Sequence, residues 1–201
     1  MSDWNGKEFS DETFDGKDLT GVEMERCRFV RCRFRSARLV EVRTISCQFE
    51  ECDFSLARMN CSEHRSSSFV SGVFHRANLF MARFEECKMI GARFTEADLS
   101  GLTIAGGDWS WVNLRFQDLE KRDLRGVRLR SADLYECKLA GADLRDCDLS
   151  GANLDHAALD GADLRGADLE GVDLQGLDLK NVRIDVGQAI LLARAHGAII
   201  E

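Results

Sequence analysis

Cysteine is the residue type in this chain most able to bind a metal or form a cross-link, and its spacing bears on both. Eight cysteines occur in the 201 residues. Seven of them lie five residues, or a multiple of five, apart: Cys27, Cys32, Cys47, Cys52, Cys87, Cys137 and Cys147. A metal site or a disulfide is one interpretation, but the C-x4-C spacing lacks the short C-x2-C knuckle of structural zinc sites. Because alanine fills the same register elsewhere, we interpret these cysteines as small buried side chains.

The other residues with catalytic potential form no recognisable site. The four histidines, His64, His75, His156 and His196, are scattered, without the paired spacing of metal ligands. No serine lies in the G-x-S-x-G context of an activated nucleophile. The sequence therefore predicts no catalytic residue, no metal, no cofactor and no small-molecule substrate, so the chain is not expected to be an enzyme.

Carboxylates are the remaining chemically active groups, and they concentrate in the second half. Residues 1–95 carry 15 basic and 15 acidic side chains, whereas residues 96–201 carry 12 and 20. The net charge of −8 argues against direct binding of nucleic acid, since like charges repel. Regularly spaced carboxylates can instead imitate phosphates towards the basic groove of a DNA-binding protein, and the alternative is an ordinary solvated face. The candidate surface comprises Asp108, Asp123, Asp143, Asp146, Asp148, Asp163, Asp168 and Glu170.

A five-residue repeat must position all of these side chains. Counting in fives from Phe9 to Ile184 gives 36 central positions, and 34 of them are Phe, Leu, Met, Ile or Trp; the exceptions are Thr44 and His64. From Val22 to Val182 the residue two before each centre is almost always small, with departures at Leu102, Gln117, Arg122 and Leu177. The last residue of each unit is often glycine, which eases a bend.

A period of five excludes an amphipathic helix, because large residues would drift around the helix axis. In an extended backbone the centre and the residue two before it point to the same side. Each unit is therefore a short strand followed by a bend, and successive units must stack to bury their inward side chains. The sequence predicts an all-β solenoid over residues 1–184.

The units resemble those of the pentapeptide-repeat family, which repeats A-(D/N)-L-x-x. ADLRG at 162–166, ANLDH at 152–156, ADLYE at 132–136 and ARFTE at 92–96 carry the resemblance, which extends over residues 7–184. It implies a right-handed quadrilateral β-helix of about nine coils, in which residues 20 apart stack. On that geometry Thr44, His64, Leu102 and Arg122 share one side, where we expect local distortions of the backbone.

The register stops after Ile184, and residues 185–201 are expected to form a capping and dimerisation segment. Asp185 and Gln188 have the spacing of a capping box, and Gly197 suits the position after a helix. The predicted short C-terminal α-helix is apolar nearly all round, which favours a homodimer over a simple cap covered by residues 198–200. The expected dimer residues are Val186, Ala189, Ile190, Leu191, Leu192, Ala193 and His196.

This tail is similar to that of mycobacterial fluoroquinolone-resistance members of the family, in which such helices join two rods end to end. That resemblance implies a rod roughly 80–100 Å long that binds DNA gyrase as a DNA mimic, inhibits supercoiling and protects against fluoroquinolones. The related Qnr proteins have loops that interrupt the repeats, and this chain has none. The alternative function is a scaffold or adaptor whose acidic face binds another protein.

The distribution of apolar residues and the first residues of the chain indicate its cellular location. No apolar run approaches the roughly 18 residues of a membrane-spanning helix, and the first residues lack the features of a signal peptide. The sequence predicts a cytoplasmic protein without a membrane segment, with its thiols kept reduced.

Overall fold

The computed structural model describes residues 4–200, and the chain coils into a four-sided β-solenoid. Residues pair in parallel with those 20 positions further on, as in Phe9–Phe29–Phe49 on one side. Isolated bridges on the other sides keep the same spacing as far as Asp163–Arg183. Four five-residue units separate the paired positions, so the predicted solenoid with four units per coil is confirmed. The outermost residues of the expected segments, 1–3 and 201, lie outside the described residues.

Regular strands form two parallel sheets, and one short helix follows them. The first sheet has the order β1-β3-β5 and the second β2-β4-β6-β7-β8, so the longest regular ladder spans five coils. About nine coils were expected, and the regular ladders extend over at most five of them. Isolated bridges between single residues, rather than strands, link most of the other coils. The elements are β1 (Glu8–Ser10), β2 (Glu23–Glu25), β3 (Arg28–Val30), β4 (Arg43–Ile45), β5 (Gln48–Glu50), β6 (Glu63–Arg65), β7 (Arg83–Glu85), β8 (Thr103–Ala105) and α1 (Val186–Ala195).

The corners of the coils are made by every fifth residue, which adopts a left-handed backbone conformation. From Gly6 to Gly171 each of these residues has φ between 47° and 76°. Glycine was expected to ease these bends, yet most corners are occupied by other residues, such as Arg26 and Glu136. The left-handed conformation costs such residues roughly 1–2 kcal/mol each. Stacking against the neighbouring coils therefore imposes the bend even where the local sequence disfavours it.

The interior is filled by the central residues, which stack in columns as predicted. Phe29, Phe49 and Phe69 lie 4.8 Å apart between ring centroids, with planes within 7° of parallel. A second phenylalanine column runs beside it, and leucines occupy the centres after Trp109.

No helix among residues 4–200 combines the length and hydropathy needed to cross a bilayer.

Seven of the eight cysteines are buried at the small inward positions, which confirms their predicted place in the core. Six of their thiols donate hydrogen bonds to carbonyls of the preceding coil, as Cys137 does to Leu114 O at 2.7 Å and Cys147 to Leu124 O at 2.9 Å, whereas Cys32 donates to Val30 O. Burial raises the pKa of the Cys137 and Cys147 thiols to about 12, so they remain protonated at neutral pH. Cys61 alone is exposed.

The two polar centres are stacked, and a buried hydrogen-bond network satisfies them. Thr44 Oγ1 lies 2.8 Å from His64 Nδ1 and donates to Ser67 Oγ at 3.0 Å, while His64 Nε2 lies 3.0 Å from Ser62 Oγ. Burial lowers the pKa of His64 to about 3, so its ring is neutral. The ladder runs through His64 without interruption to Phe84, so the expected distortion is absent here.

The expected distortion does occur further along the same side, near Arg122. Within residues 4–200, no bridge or backbone hydrogen bond joins residues 96–106 to residues 115–126, although the coils on either side of this opening are paired. We call this opening the coil gap. A smaller cleft of about 340 Å³ opens beside Leu177, another large residue at a small position.

Candidate acidic interaction surface

Where an aspartate stands just before a centre, as Asp148 and Asp168 do, it has a structural role that does not need its charge. Its Oδ1 accepts a hydrogen bond from the backbone N–H two residues further on, at 3.1 Å for Asp148 and 2.9 Å for Asp168. Asn113 and Asn153 accept the same bond with an amide oxygen. Because asparagine can replace aspartate in this turn, the negative charge is free to serve another purpose.

Three of the candidate carboxylates stack in one column, Asp123, Asp143 and Asp163, and arginines neutralise them. Asp123, Asp143 and Asp163 each accept two hydrogen bonds from the arginine two residues later, at 2.6–2.9 Å: Arg125, Arg145 and Arg165. The hydrogen bonds from Arg125 and Arg165 are the largest cause lowering the pKa of Asp123 and Asp163 to about 2. We call these residues the paired column, and its alternating charges differ from a row of phosphates.

The sequence contained the signal for this pairing. In the D-L-R triplets the aspartate and the arginine are two residues apart, so both point outward from one strand. Fixed neighbours of opposite charge attract, and the planar guanidinium fits a carboxylate with two parallel hydrogen bonds.

The second acidic column is different because its later members have no basic partner. Asp148 and Asp168 are in register on the side of the solenoid that begins with β1, and Asp146 and Glu170 flank them. None of these four carboxylates forms an ion pair with the described residues. Asp108, on the same side and two coils before Asp148, bonds instead to Arg128 at 2.8 Å. We call Asp146, Asp148, Asp168 and Glu170 the open column.

The helix that follows the solenoid is anchored by its first turn. The Asp185 side chain accepts from the Gln188 backbone N–H, and the Gln188 side chain accepts from the Asp185 N–H, each at 3.0 Å, which confirms the predicted capping box. The buried Gln188 amide also donates to the carbonyls of Leu164 and Ala167 in the last coils. A buried side chain therefore holds the first turn of α1 against the last coils.

The expected dimer residues divide between the two faces of α1. Leu192 packs against the solenoid core, and Ile190 and Ala193 are half-buried. Val186 and Leu191 are 78% and 40% exposed, and Ala189 and His196 also face outward. A single copy of the chain thus leaves an apolar strip of α1 uncovered.

An aromatic group beside the coil gap was not anticipated. Phe116 is 61% exposed, its ring lies 5.7 Å from that of Tyr135, and the Arg115 guanidinium lies 4.1 Å from the Tyr135 centroid. Arg115 also pairs with Asp133 at 3.1 Å. These residues occupy outward positions that carry no periodic signal.

Among residues 4–200, no three His, Cys, Asp or Glu side chains are grouped to hold a metal ion.

Comparison with known proteins identifies the family to which this repeat architecture is similar. A family model described as "Pentapeptide repeats" matches residues 77–108, 110–146 and 147–184, more than half of the chain. Two trypsin-treated variants of QnrB1, described as a plasmid-mediated fluoroquinolone resistance protein, share 26% and 24% identity with TM-scores of 0.77 and 0.78; each match covers 98% of this chain and 99% of the other.

A third similar structure is HetL from the cyanobacterium Nostoc, described as involved in the regulation of heterocyst differentiation. It shares 23% identity over 90% of this chain and 88% of its own length, with a TM-score of 0.59, and supports the fold alone. No curated protein sequence matches the chain significantly.

Proposed function

The chain belongs to the pentapeptide-repeat family, and on that premise we propose that it binds DNA gyrase as a mimic of duplex DNA, inhibits supercoiling and protects the enzyme from fluoroquinolones. The similarity to QnrB1 over nearly the whole of both chains supports this target class. The observation that carries the proposal is the open column, because Asp148 and Asp168 are in register and none of its four carboxylates forms an ion pair within residues 4–200. Gyrase acts on DNA, so the proposal places the chain in the cytoplasm.

The mechanism is occlusion without chemistry. The unpaired carboxylates of Asp148 and Asp168 meet basic side chains that otherwise bind phosphates, and the solenoid occupies the DNA channel. Such contacts guide association and set orientation, and mobile ions screen them. Inhibition is therefore expected to weaken as salt concentration rises.

We include a homodimer in the proposal, formed through the uncovered strip of α1. Two copies joined at this end place both open columns near the middle of a rod of double length. An exposed apolar strip on a helix is stabilised by a matching surface, and a second copy supplies an identical one.

The gyrase proposal is tested with purified gyrase in a supercoiling assay. Asp148→Asn combined with Asp168→Asn removes two charges from the open column and retains the turn hydrogen bonds. We expect on the order of a tenfold loss of inhibition, equivalent to about 1.4 kcal/mol. The matched control, Asp160→Asn with Asp178→Asn, changes the net charge equally on the opposite side of the solenoid.

Equal loss in both variants would mean that net charge, not the open column, drives binding. No inhibition by the unmodified chain, even in large excess, would reject gyrase as the target and favour the adaptor function.

The dimer is tested with Leu191→Asp, which places a charge in the uncovered strip and leaves the anchoring Gln188 intact. We expect light scattering to show a monomer where the unmodified chain gives a dimer. Circular dichroism establishes whether α1 persists in the variant. A variant that keeps its helix and its dimer mass would place the interface elsewhere.

A further inference from the structure

The coil gap has ordered walls on both sides. The upper wall, residues 96–106, is bonded to the preceding coil, as in Leu79 N to Asp98 O at 2.8 Å and Met81 N to Ser100 O at 2.9 Å. The lower wall, residues 115–126, is bonded to the following coil, as in Leu119 N to Lys138 O at 2.8 Å. The interruption is therefore confined to one interface between two well-formed coils.

Three oversized residues account for the opening. Leu102, Gln117 and Arg122 stand where most of the other units have a small inward residue. Leu102 and Gln117 are buried, and the Gln117 amide donates to Phe94 O at 2.9 Å, the type of bond that cysteine thiols make elsewhere. Close-packed coils have no room for extra side-chain volume, so the walls separate on the two sides that contain these residues.

Both walls offer backbone groups that would pair in a closed ladder. By analogy with the coil before, the upper wall presents the N–H groups of Leu99 and Gly101 and the carbonyl of Ala97. The lower wall presents the Asp118 N–H and the Glu120 carbonyl. Each wall thus has both donors and acceptors, as the exposed edge of a parallel sheet does, and such edges accept an added strand.

The main cleft within the gap is about 770 Å³ and contains one unsatisfied cation. Of the charged side chains that line this cleft, Glu96, Arg115 and Asp118 form ion pairs with residues outside it. Asp98 also lines the cleft and forms no ion pair among the described residues, but its Oδ1 accepts a hydrogen bond from the Ser100 N–H at 3.0 Å. Arg122 forms no ion pair within residues 4–200, and its buried Nε has no hydrogen-bond partner. A guanidinium in this state favours a carboxylate or another anionic acceptor.

We propose that the coil gap binds an extended segment of a partner protein as an added β-strand, with an acidic side chain of that segment paired to Arg122. Main-chain hydrogen bonds to the two walls supply affinity, and Arg122 supplies selectivity for the acidic residue. The exposed Phe116 at the mouth of the cleft gives an apolar contact for a neighbouring side chain of the segment. This site is separate from the open column and does not depend on gyrase.

The test uses the full chain and a phage-displayed library of random twelve-residue peptides. The comparison variant, Leu102→Ala with Gln117→Ala and Arg122→Ala, restores small residues and is expected to close the gap. We expect peptides selected on the unmodified chain to contain Asp or Glu, to protect the Leu99 and Gly101 amides from hydrogen exchange, and to lose at least tenfold in affinity for the comparison variant.

A second variant, Arg122→Gln, separates the two parts of the proposal. It leaves the walls apart and removes the cation, so acidic peptides should bind it more weakly while amide protection persists for those that still bind. The proposal is overturned if selection yields no binders, if bound peptides leave the two amides unprotected, or if the small-residue variant, still folded by circular dichroism, binds equally well.

Discussion

His64 shows what a polar ring needs in order to occupy the core of this solenoid. Its two nitrogens lie within hydrogen-bond distance of Thr44 and Ser62, and its ring stacks on Phe84 with centroids 4.7 Å apart. Burial disfavours the charged ring, which is why its pKa falls to about 3. The site therefore accepts a neutral imidazole and excludes an imidazolium.

This burial makes stability depend on pH. The unfolded chain binds a proton at His64 below about pH 6.5, whereas the folded chain does not until about pH 3, so the free energy of unfolding falls as pH drops between these values. We expect a slope contribution of up to about 1.4 kcal/mol per pH unit. Urea unfolding across this range, compared with the variant Thr44→Val with His64→Phe, measures it. Parallel curves for the two proteins would contradict the assignment to His64.

At the scale of the elements, two glutamine side chains connect helix α1 to the last coils. Gln188 is buried and bonds to two carbonyls of the solenoid, while Gln175 lies exposed and donates to the Ala195 carbonyl at the other end of α1. Both side chains connect the helix to the last coils, but only the first connection is shielded from water.

We expect Gln188→Ala to destabilise the chain by about 1–3 kcal/mol, because the Leu164 and Ala167 carbonyls lose a buried donor. Gln175→Ala removes the same chemical group from an exposed site, where water replaces it, and should cost under about 0.5 kcal/mol. Denaturant unfolding measures both, and hydrogen exchange in α1 should accelerate only in the first variant. Equal costs would show that burial of Gln188 does not anchor the helix.

The elements differ in how far the sequence could predict them. The unbroken register from Phe9 to Ile184 fixes the solenoid, because only stacked coils bury every centre. The Asp185–Gln188 spacing likewise fixes where α1 begins. Leu102, Gln117 and Arg122 were recognisable as exceptions to the small inward position. Side-chain volume alone, however, does not predict whether neighbouring coils repack around a large residue or separate. The D-L-R triplets indicated which carboxylates have an arginine neighbour, yet which carboxylates remain unpaired depends on side-chain conformations that the sequence does not specify.

At the scale of the whole molecule, charge is distributed unevenly along the solenoid. In the first half, acidic and basic side chains balance, and ion pairs link successive coils, as Arg31 does with Asp11 and Arg65 with Glu85. In the second half, the open column stacks like charges in register about one strand spacing, or roughly 4.8 Å, apart. The proposed binding surface is therefore also a region where neighbouring coils repel each other.

This conflict leads to a prediction about stability and salt. Asp148→Asn with Asp168→Asn should raise the melting temperature at low ionic strength, because it removes repulsion between stacked carboxylates. The corresponding gain in the free energy of unfolding should be no more than about 1 kcal/mol. The gain should vanish near 0.5 M salt, where screening acts within roughly 4–5 Å. Asp143→Asn with Asp163→Asn should instead lower the melting temperature, since Arg145 and Arg165 lose their partners.

Thermal unfolding at low and high salt compares the two variants, which change the net charge equally. If both raise the melting temperature alike, total charge rather than its placement governs stability, and the distinction between the open and paired columns fails. If only the open-column variant is stabilised, and the same variant loses inhibition of gyrase, then the carboxylates that weaken the coil stack are the ones that serve binding. Repulsion within the column would then be a cost of presenting unpaired charge to a partner, relieved when the partner's cations neutralise it.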